Sequence, residues 1–381
     1  MIILIEIVNG FNSMVIFFVW FLVLLTSYFL ILFLYLHFSD KKALYENIVG
    51  FGALFMVSIH ILLFLILMFQ DITLHPTILP LWLITLGLPI IIFSITMMLS
   101  SLLYIIIKFG FKSEVFERYR LNMTEKLLKR SKIRNDVYRK LAHILIFITL
   151  FILWYIGISI VKDFSGSIEG MIPYENNMLY LYLRLFTEPN SIMDVLFALG
   201  WFYYLLFFFF YSFTLFMLAM EYTRKTKYLT FPFNFICSIY LSDDEREGYG
   251  AYLYFTLGQM FASFLCPPMV YFAILGMSSI ADLMTSQIGI RYGRRKIKIN
   301  GSKTWEGTLA GCITCFIICF FFIGILWTLI FTVVFFIIDV LTKKPINISD
   351  NLLIPICCAL IYVLVRYFFS LNYFTIFLSW M

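Results

Sequence analysis

Charge is what this chain has least of. Its 381 residues carry 28 Lys or Arg and 22 Asp or Glu, 13% in all, against about a quarter in an ordinary soluble protein. Histidine is scarcer still, with four copies. Too few charges remain to clothe a water-facing surface, which excludes a soluble enzyme. No soluble basic domain exists, so nucleic acid is excluded as a partner. The net charge of +6 sits in short loops, where Lys and Arg report topology first. A complete metal-type set of cysteines and histidines is missing too. Of seven cysteines, Cys237 ends a polar loop, and Cys266, Cys312, Cys315, Cys319, Cys357 and Cys358 lie in or beside apolar runs. Cys312-x-x-Cys315 has no histidine or second pair beside it, so both read as small hydrophobes. A basic start is also lacking. Residues 1–13 carry Glu6 and run into a full-length apolar segment, so no cleavable signal peptide is expected.

What is present in quantity is apolar length. Hydrophobic residues make up 62%, including 45 Phe. Runs of roughly 17–25 apolar residues predict membrane-spanning helices. They fall near 14–37, 48–69, 77–107, 141–161 and 195–220. Two shorter runs, 251–265 and 268–288, are parted by Pro267-Pro268, which predicts a short hairpin. The run 308–341 suits one tilted span or, better, a hairpin turning near Gly324, because the latter returns Lys343 and Lys344 to the side where the other cations lie. A last span starts at Asp350, and Arg366 within it must find an acid, a carbonyl or headgroups. His60 sits mid-span and reads as a packing residue rather than a proton relay. The expected fold class is all-α, a polytopic integral membrane protein of about nine or ten transmembrane helices.

Three units are expected: an accessory transmembrane part, 1–107; a basic interfacial linker, 108–137; and a catalytic transmembrane part, 138–381, with its nucleotide-binding loop at 282–311. The linker region holds Glu114–Arg118 and Glu125–Lys129 pairs at the four-residue spacing of a helix lying on the membrane surface. The acids at 243–247 read as a solvated loop.

One polar stretch, 281–311, stands out from the apolar background. It combines Asp282, glycines 289, 293, 301, 307 and 311, a basic run through Arg291, Arg294, Arg295, Lys296, Lys298 and Lys303, and Glu306. A loop that merely obeys the positive-inside rule accounts for the cations. Acids and spaced glycines add what a metal–nucleotide site needs. Cations and exposed backbone N–H groups hold phosphate oxygens, and magnesium takes carboxylate oxygen together with substrate phosphates. Arg139-Lys140-x-x-His143, Glu221-x-x-Arg224, the 281–311 stretch and Asp350-Asn351 all fall on one predicted side. A lipid scramblase or transporter, the non-enzymatic alternative, predicts polar residues at several depths instead.

These motifs resemble the CTP-dependent membrane lipid-alcohol kinases, the family of dolichol kinase, phytol kinase and the CTP-using diacylglycerol kinase. The resemblance rests on Arg139-Lys140-x-x-His143, the run from Gly250 to Gly258, Ala281-Asp282-x6-Gly289-x-x-x-Gly293, Lys303-Thr304-x-Glu306-Gly307-Thr-x-Ala310-Gly311, and Asp350-Asn351-Leu-x-Ile-Pro355. It covers about 138–360 and leaves 1–107 outside. Ala281 stands where these kinases usually show glycine. Lys303-Thr-Trp-Glu-Gly307 is also similar to phosphatidate cytidylyltransferase, whose C-terminal signature is missing after Gly311.

The resemblance implies CTP as phosphoryl donor, Mg²⁺ as cofactor and a membrane lipid alcohol as acceptor, with dolichol or another polyprenol favoured over phytol and diacylglycerol. It implies Asp282, Arg139, Lys140, His143 and Glu306 as catalytic residues, with Asp282 and Glu306 on the metal. Gly289, Gly293, Arg294, Arg295, Ser302, Lys303, Thr304 and Gly307 would bind the nucleotide. The expected location is an integral membrane position, in the endoplasmic reticulum of a eukaryote or the cell membrane of a prokaryote, with the site facing the cytosol. Residue types say nothing of the oligomeric state.

Overall fold

The computed structural model describes residues 132–165, 249–342 and 347–377, with scattered helical positions in 45–56 and 206–221. The predicted spans 14–37 and 77–107, the segment 108–131, His60, the acids at 243–247 and Lys343-Lys344 lie outside the described residues.

Among the described residues the protein is all-helical, without a strand. Six helices carry the fold: α1 (Lys132–Ser165), α2 (Ala251–Leu265), α3 (Pro268–Gly276), α4 (Asp282–Tyr292), α5 (Trp305–Leu341) and α6 (Asp350–Phe369). A π-helical turn, Met277–Ala281, joins α3 to α4 without a break. Among the described residues, four segments are long and apolar enough to cross a membrane: Asp136–Gly157, Pro268–Tyr292, Trp305–Leu341 and Asp350–Phe369. They are what an integral membrane protein requires.

Helix α5 is two antiparallel arms. Gly324 turns between them with φ +75°, a conformation open to glycine at little cost, and an added Cβ there would sit 2.7 Å from the Phe374 carbonyl oxygen. The fold-back is plain from Thr308, whose hydroxyl donates to Asp339 at 2.5 Å. A straight helix would hold residues 31 apart at about 46 Å. Each arm has a lipid-facing stripe at helical spacing. Leu309, Ile313, Ile317 and Phe320 are exposed on the first, and Leu326, Leu329, Val333 and Ile337 on the second. Opposite them Gly311, Cys315, Cys319, Phe331, Phe335 and Ile338 are buried.

The predicted turn at Pro267-Pro268 is present. Pro267 caps α3 and Pro268 is its first residue, where a missing N–H costs nothing. Gln259 of α2 reaches across to Ser278 at 2.7 Å, as the two sides of a hairpin must. Only α3 continues to full spanning length. Helix α2 has 15 residues, twelve of them buried, and acts as a plug inside the bundle. Its N-terminus is tied down by buried Glu221, which accepts the Gly250 N–H at 3.0 Å.

Small residues set a close helix contact. Gly307 and Gly311 of α5 lie against Thr285 and Gly289 of α4, while Gly293, just past the end of α4, lies against Thr304. A Cβ on Gly307 would lie 2.6 Å from the Thr285 carbonyl oxygen and 3.0 Å from Gly289 Cα; on Gly311 it would lie 1.9 Å from Thr285 Oγ1. Lipid is as apolar as leucine, so helices in it associate by close packing, and these glycines permit backbone-to-backbone contact. Elsewhere aromatics fill the core. Phe147, Phe151, Trp154, Phe272, Phe322 and Phe377 stack edge and face at centroid separations of 5.1–6.4 Å. The six described cysteines are free thiols; Cys315 and Cys319 touch at 3.9 Å in the buried core. Arg366 finds backbone and amide oxygen, the Leu371 carbonyl at 3.0 Å and Asn372 Oδ1 at 3.3 Å.

Candidate functional site

Polar side chains gather at the end of the bundle away from Gly324. Two linked clusters form there, one on each side of Asp282.

The first joins α1 to α4. Asp136 and Lys140, four residues apart, share a face of α1, and Asp282 and Ser286 share a face of α4. Lys140 Nζ lies 2.8 Å from Asp282 Oδ2, donates to the Asp282 carbonyl at 2.8 Å, and reaches Ser286 Oγ at 3.1 Å. Ser286 and Gln287 both donate to Asp136, at 2.6 and 2.9 Å. Lys140 is 6% and Asp282 5% exposed. A charge so far from water persists only when paired and hydrogen-bonded. Asp282 begins α4 directly after the π turn, a helix irregularity that is frequent at functional sites.

The second cluster is centred on Lys303. Its ammonium bridges Asp339 at 2.6 Å and Asp350 at 3.1 Å. Asp339 also accepts from Thr308, and Asp350 Oδ1 accepts the Asn351 N–H at 3.0 Å, as an acid in a first helical turn can. Burial alone would push the Lys303 ammonium down. The carboxylates of Asp350, Asp339 and Asp282 outweigh it and hold its proton well above the ordinary lysine range. Asp282 interacts with Lys303 and Asp350 as well as with Lys140, so both clusters belong to one field.

The connection from α4 to α5 is a tight, stapled loop. Glu306 accepts the backbone N–H groups of Arg294 and Arg295 at 3.2 Å. Lys296 and Thr304 pair as an isolated antiparallel bridge. Asn300, fully buried, donates to the carbonyls of Val340, at 3.1 Å, and Thr342. Those are late carbonyls of α5, which lack helical partners. Thr304 caps α5 by accepting the Gly307 N–H at 3.3 Å.

The sequence-predicted residues divide accordingly. Lys140 and Asp282 pair in the first cluster, and Lys303 centres the second. His143, one turn below Lys140 on α1, is buried and stacks on Phe255 with ring centroids 3.8 Å apart. The Arg139 side chain lies outside the described residues. Arg294 and Arg295 are exposed on the loop. Ser302 is exposed too, its hydroxyl on Asn300 Oδ1 at 2.6 Å. Gly289 and Gly307 are occupied in the α4–α5 contact; Gly293 lies against the Thr304 side chain, and its N–H bonds the Gly289 carbonyl at 3.2 Å. Glu306 is engaged with the loop backbone. Among the described residues, no group of three or more His, Cys, Asp or Glu is arranged to hold a metal ion.

Sequence reasoning missed Asp339, Asp136, Ser286 and Asn300. Asp339 had a signal: it is the lone carboxylate in the apolar run 308–341, and an acid in such a run marks a partner or a site. Asn300 had none, since its role depends on where α5 ends. Compared with protein-family models, curated proteins and solved structures, the chain matches none.

Proposed function

We propose that the protein phosphorylates a membrane lipid alcohol with CTP, a dolichol or other polyprenol being the favoured acceptor. One observation carries this reading: two charged clusters, Lys140 with Asp282 and Lys303 with Asp339 and Asp350, are assembled from separate segments at one end of apolar helices. Phosphoryl transfer asks for positioning and charge neutralisation more than covalent chemistry. A site at the bundle end lets a polar nucleotide meet a lipid headgroup.

In this reading Lys303 and the exposed Arg294 and Arg295 neutralise the β- and γ-phosphate oxygens from the cytosolic side. Glu306 holds the loop that presents the two arginines. Lys140 keeps the Asp282 carboxylate in place. The donor set fits magnesium, being hard carboxylate oxygen, and Asp282 is the residue that would hold it. A nucleotide-bound magnesium takes one or two protein carboxylates and completes its shell with phosphate and water, so a three-ligand protein cage is not needed. The ion would supply charge neutralisation on the phosphates. The lipid oxygen forms a bond to the γ-phosphorus while the bond to the β–γ bridging oxygen breaks, CDP leaves with that electron pair, and the hydroxyl proton passes to His143.

The test uses the purified full chain in detergent with γ-labelled CTP, Mg²⁺ and a panel of dolichol, phytol, geranylgeraniol, diacylglycerol and phosphatidate. Label in a lipid monophosphate with release of CDP is the expected result. Label released as pyrophosphate with phosphatidate alone would replace the kinase by a cytidylyltransferase. No turnover with any acceptor would sink both enzyme readings and leave a transporter or scramblase.

A further inference from the structure

Three buried polar atoms lack hydrogen-bond partners on elements that pack together: Gln259 Oε1 on α2, Ser279 Oγ on the π turn and Asn351 Oδ1 on the first turn of α6. The contact of α2 with α6 is tight. A Cβ on Gly258 would stand 2.9 Å from the Asn351 carbonyl oxygen and 3.1 Å from Pro355 Cγ, so Gln259, the next residue, enters at the level of Asn351. Its amide donates to Ser278 at 2.7 Å, and Ser278 in turn donates to the Ile274 carbonyl at 2.6 Å. Because the Ser278 hydrogen is spent on that carbonyl, the amide must be the donor of the pair. Its oxygen is therefore the open acceptor. Ser279 differs from its neighbour. A serine inside a helix usually bonds back to a carbonyl in the preceding turn; Ser278 does so and Ser279 does not. Gln259 and Ser279 are wholly buried and Asn351 is 9% exposed. Unsatisfied polar atoms at such depth carry a desolvation cost, and in native proteins they mark a water, an ion or a ligand.

We propose that Gln259, Ser279 and Asn351 form a docking site for the hydroxyl of a membrane lipid alcohol. The chemistry of the three atoms selects a hydrogen-bond donor, since two of them only accept. Their position selects the reacting end of the molecule. Ser279 lies three residues before Asp282, and Asn351 is next to Asp350, so a hydroxyl held there sits beside the carboxylate–lysine group. The inference rests on the lipid-kinase reading for its purpose, though its binding test stands apart from turnover. A buried water is the competing occupant.

The full chain is placed in nanodiscs, and thermal midpoints are measured with geranylgeraniol and with its methyl ether, which keeps the chain and lacks the donor. Expected is a rise of a few degrees with the alcohol and a smaller one with the ether. Gln259→Leu, close in volume, should erase that difference, and Ser279→Ala serves as the second variant if Gln259→Leu does not fold. In the turnover assay either variant should raise KM for the alcohol by about tenfold, the size of one lost hydrogen bond, with KM for CTP unchanged. Equal stabilisation by alcohol and ether in the unaltered protein, or a difference that survives both variants, would give the site to water and overturn the proposal. An alcohol-over-ether preference that the variants remove, without phosphate transfer to any acceptor, would uphold the docking site and refute the kinase.

Discussion

Replacing Lys303 by methionine removes one ammonium and leaves two carboxylates facing each other. The structure sets the size of the effect. Asp339 has a side-chain exposure of 2% and Lys303 13%, so neither can turn to water. Breaking a buried ion pair from one side costs about 3–5 kcal/mol, whereas an exposed pair costs about 0–1 kcal/mol. Asp339 keeps its bond from Thr308, which favours the lower half of that range. The measurement is reversible unfolding in mixed micelles by titration with SDS. Lys303→Met/Asp339→Asn should recover part of the loss, with a coupling of about 1–3 kcal/mol in the double-mutant cycle. The pH dependence follows from sign. The neighbouring carboxylates raise the Lys303 pKa despite its burial. Its stabilisation is therefore complete below the ordinary lysine range and is lost only as pH climbs through the elevated value. The penalty of Lys303→Met should be the same at pH 6 and pH 9. A cost near that of a surface pair, or one that disappears between those pH values, would refute the buried bridge.

Other substitutions probe the remaining joints. Gly311→Ala should destabilise by about 1–3 kcal/mol through overpacking, since its Cβ would meet Thr285 Oγ1 and Phe335; adding Thr285→Ala should restore part of the loss in the same unfolding assay, while Gly301→Ala, with open space around it, should be silent. Asn300→Ala should cost about 1–3 kcal/mol by stranding the α5 carbonyls and should speed protease cleavage within 294–303. Asp282→Asn should abolish phosphate transfer from CTP with the chain still folded by circular dichroism; near-normal turnover would remove Asp282 from the chemistry.

Much of the fold was legible because membrane helices write their period openly. The run 308–341 suited one tilted span or a hairpin near Gly324, the lysines beyond it favoured the hairpin, and the structure turns at Gly324. The turn at Pro267 was equally plain. The glycines were harder. Gly289, Gly293 and Gly307 suggested phosphate, since glycine lets a ligand approach the backbone; the same property lets another helix approach, and in the structure α5 does. Glu306 suggested a metal ligand by type and is held by two loop N–H groups, a role set by the loop's shape.

The sequence by itself determined the helical, membrane-embedded class and the concentration of charge at a few points, because the cost of burying polar groups in lipid leaves little freedom in composition. It also singled out Lys140, Asp282, Lys303 and Asp350, because charged residues beside long apolar runs are rare enough to be noticed one at a time. Only the tertiary structure decided which acid meets which lysine. Lys303 and Asp339 are 36 residues apart and Lys140 and Asp282 are 142 apart. The turn at Gly324 was readable, but the pairings also depend on how α1 packs on α4 and how the second arm of α5 meets the loop before it, and no local pattern encodes those contacts.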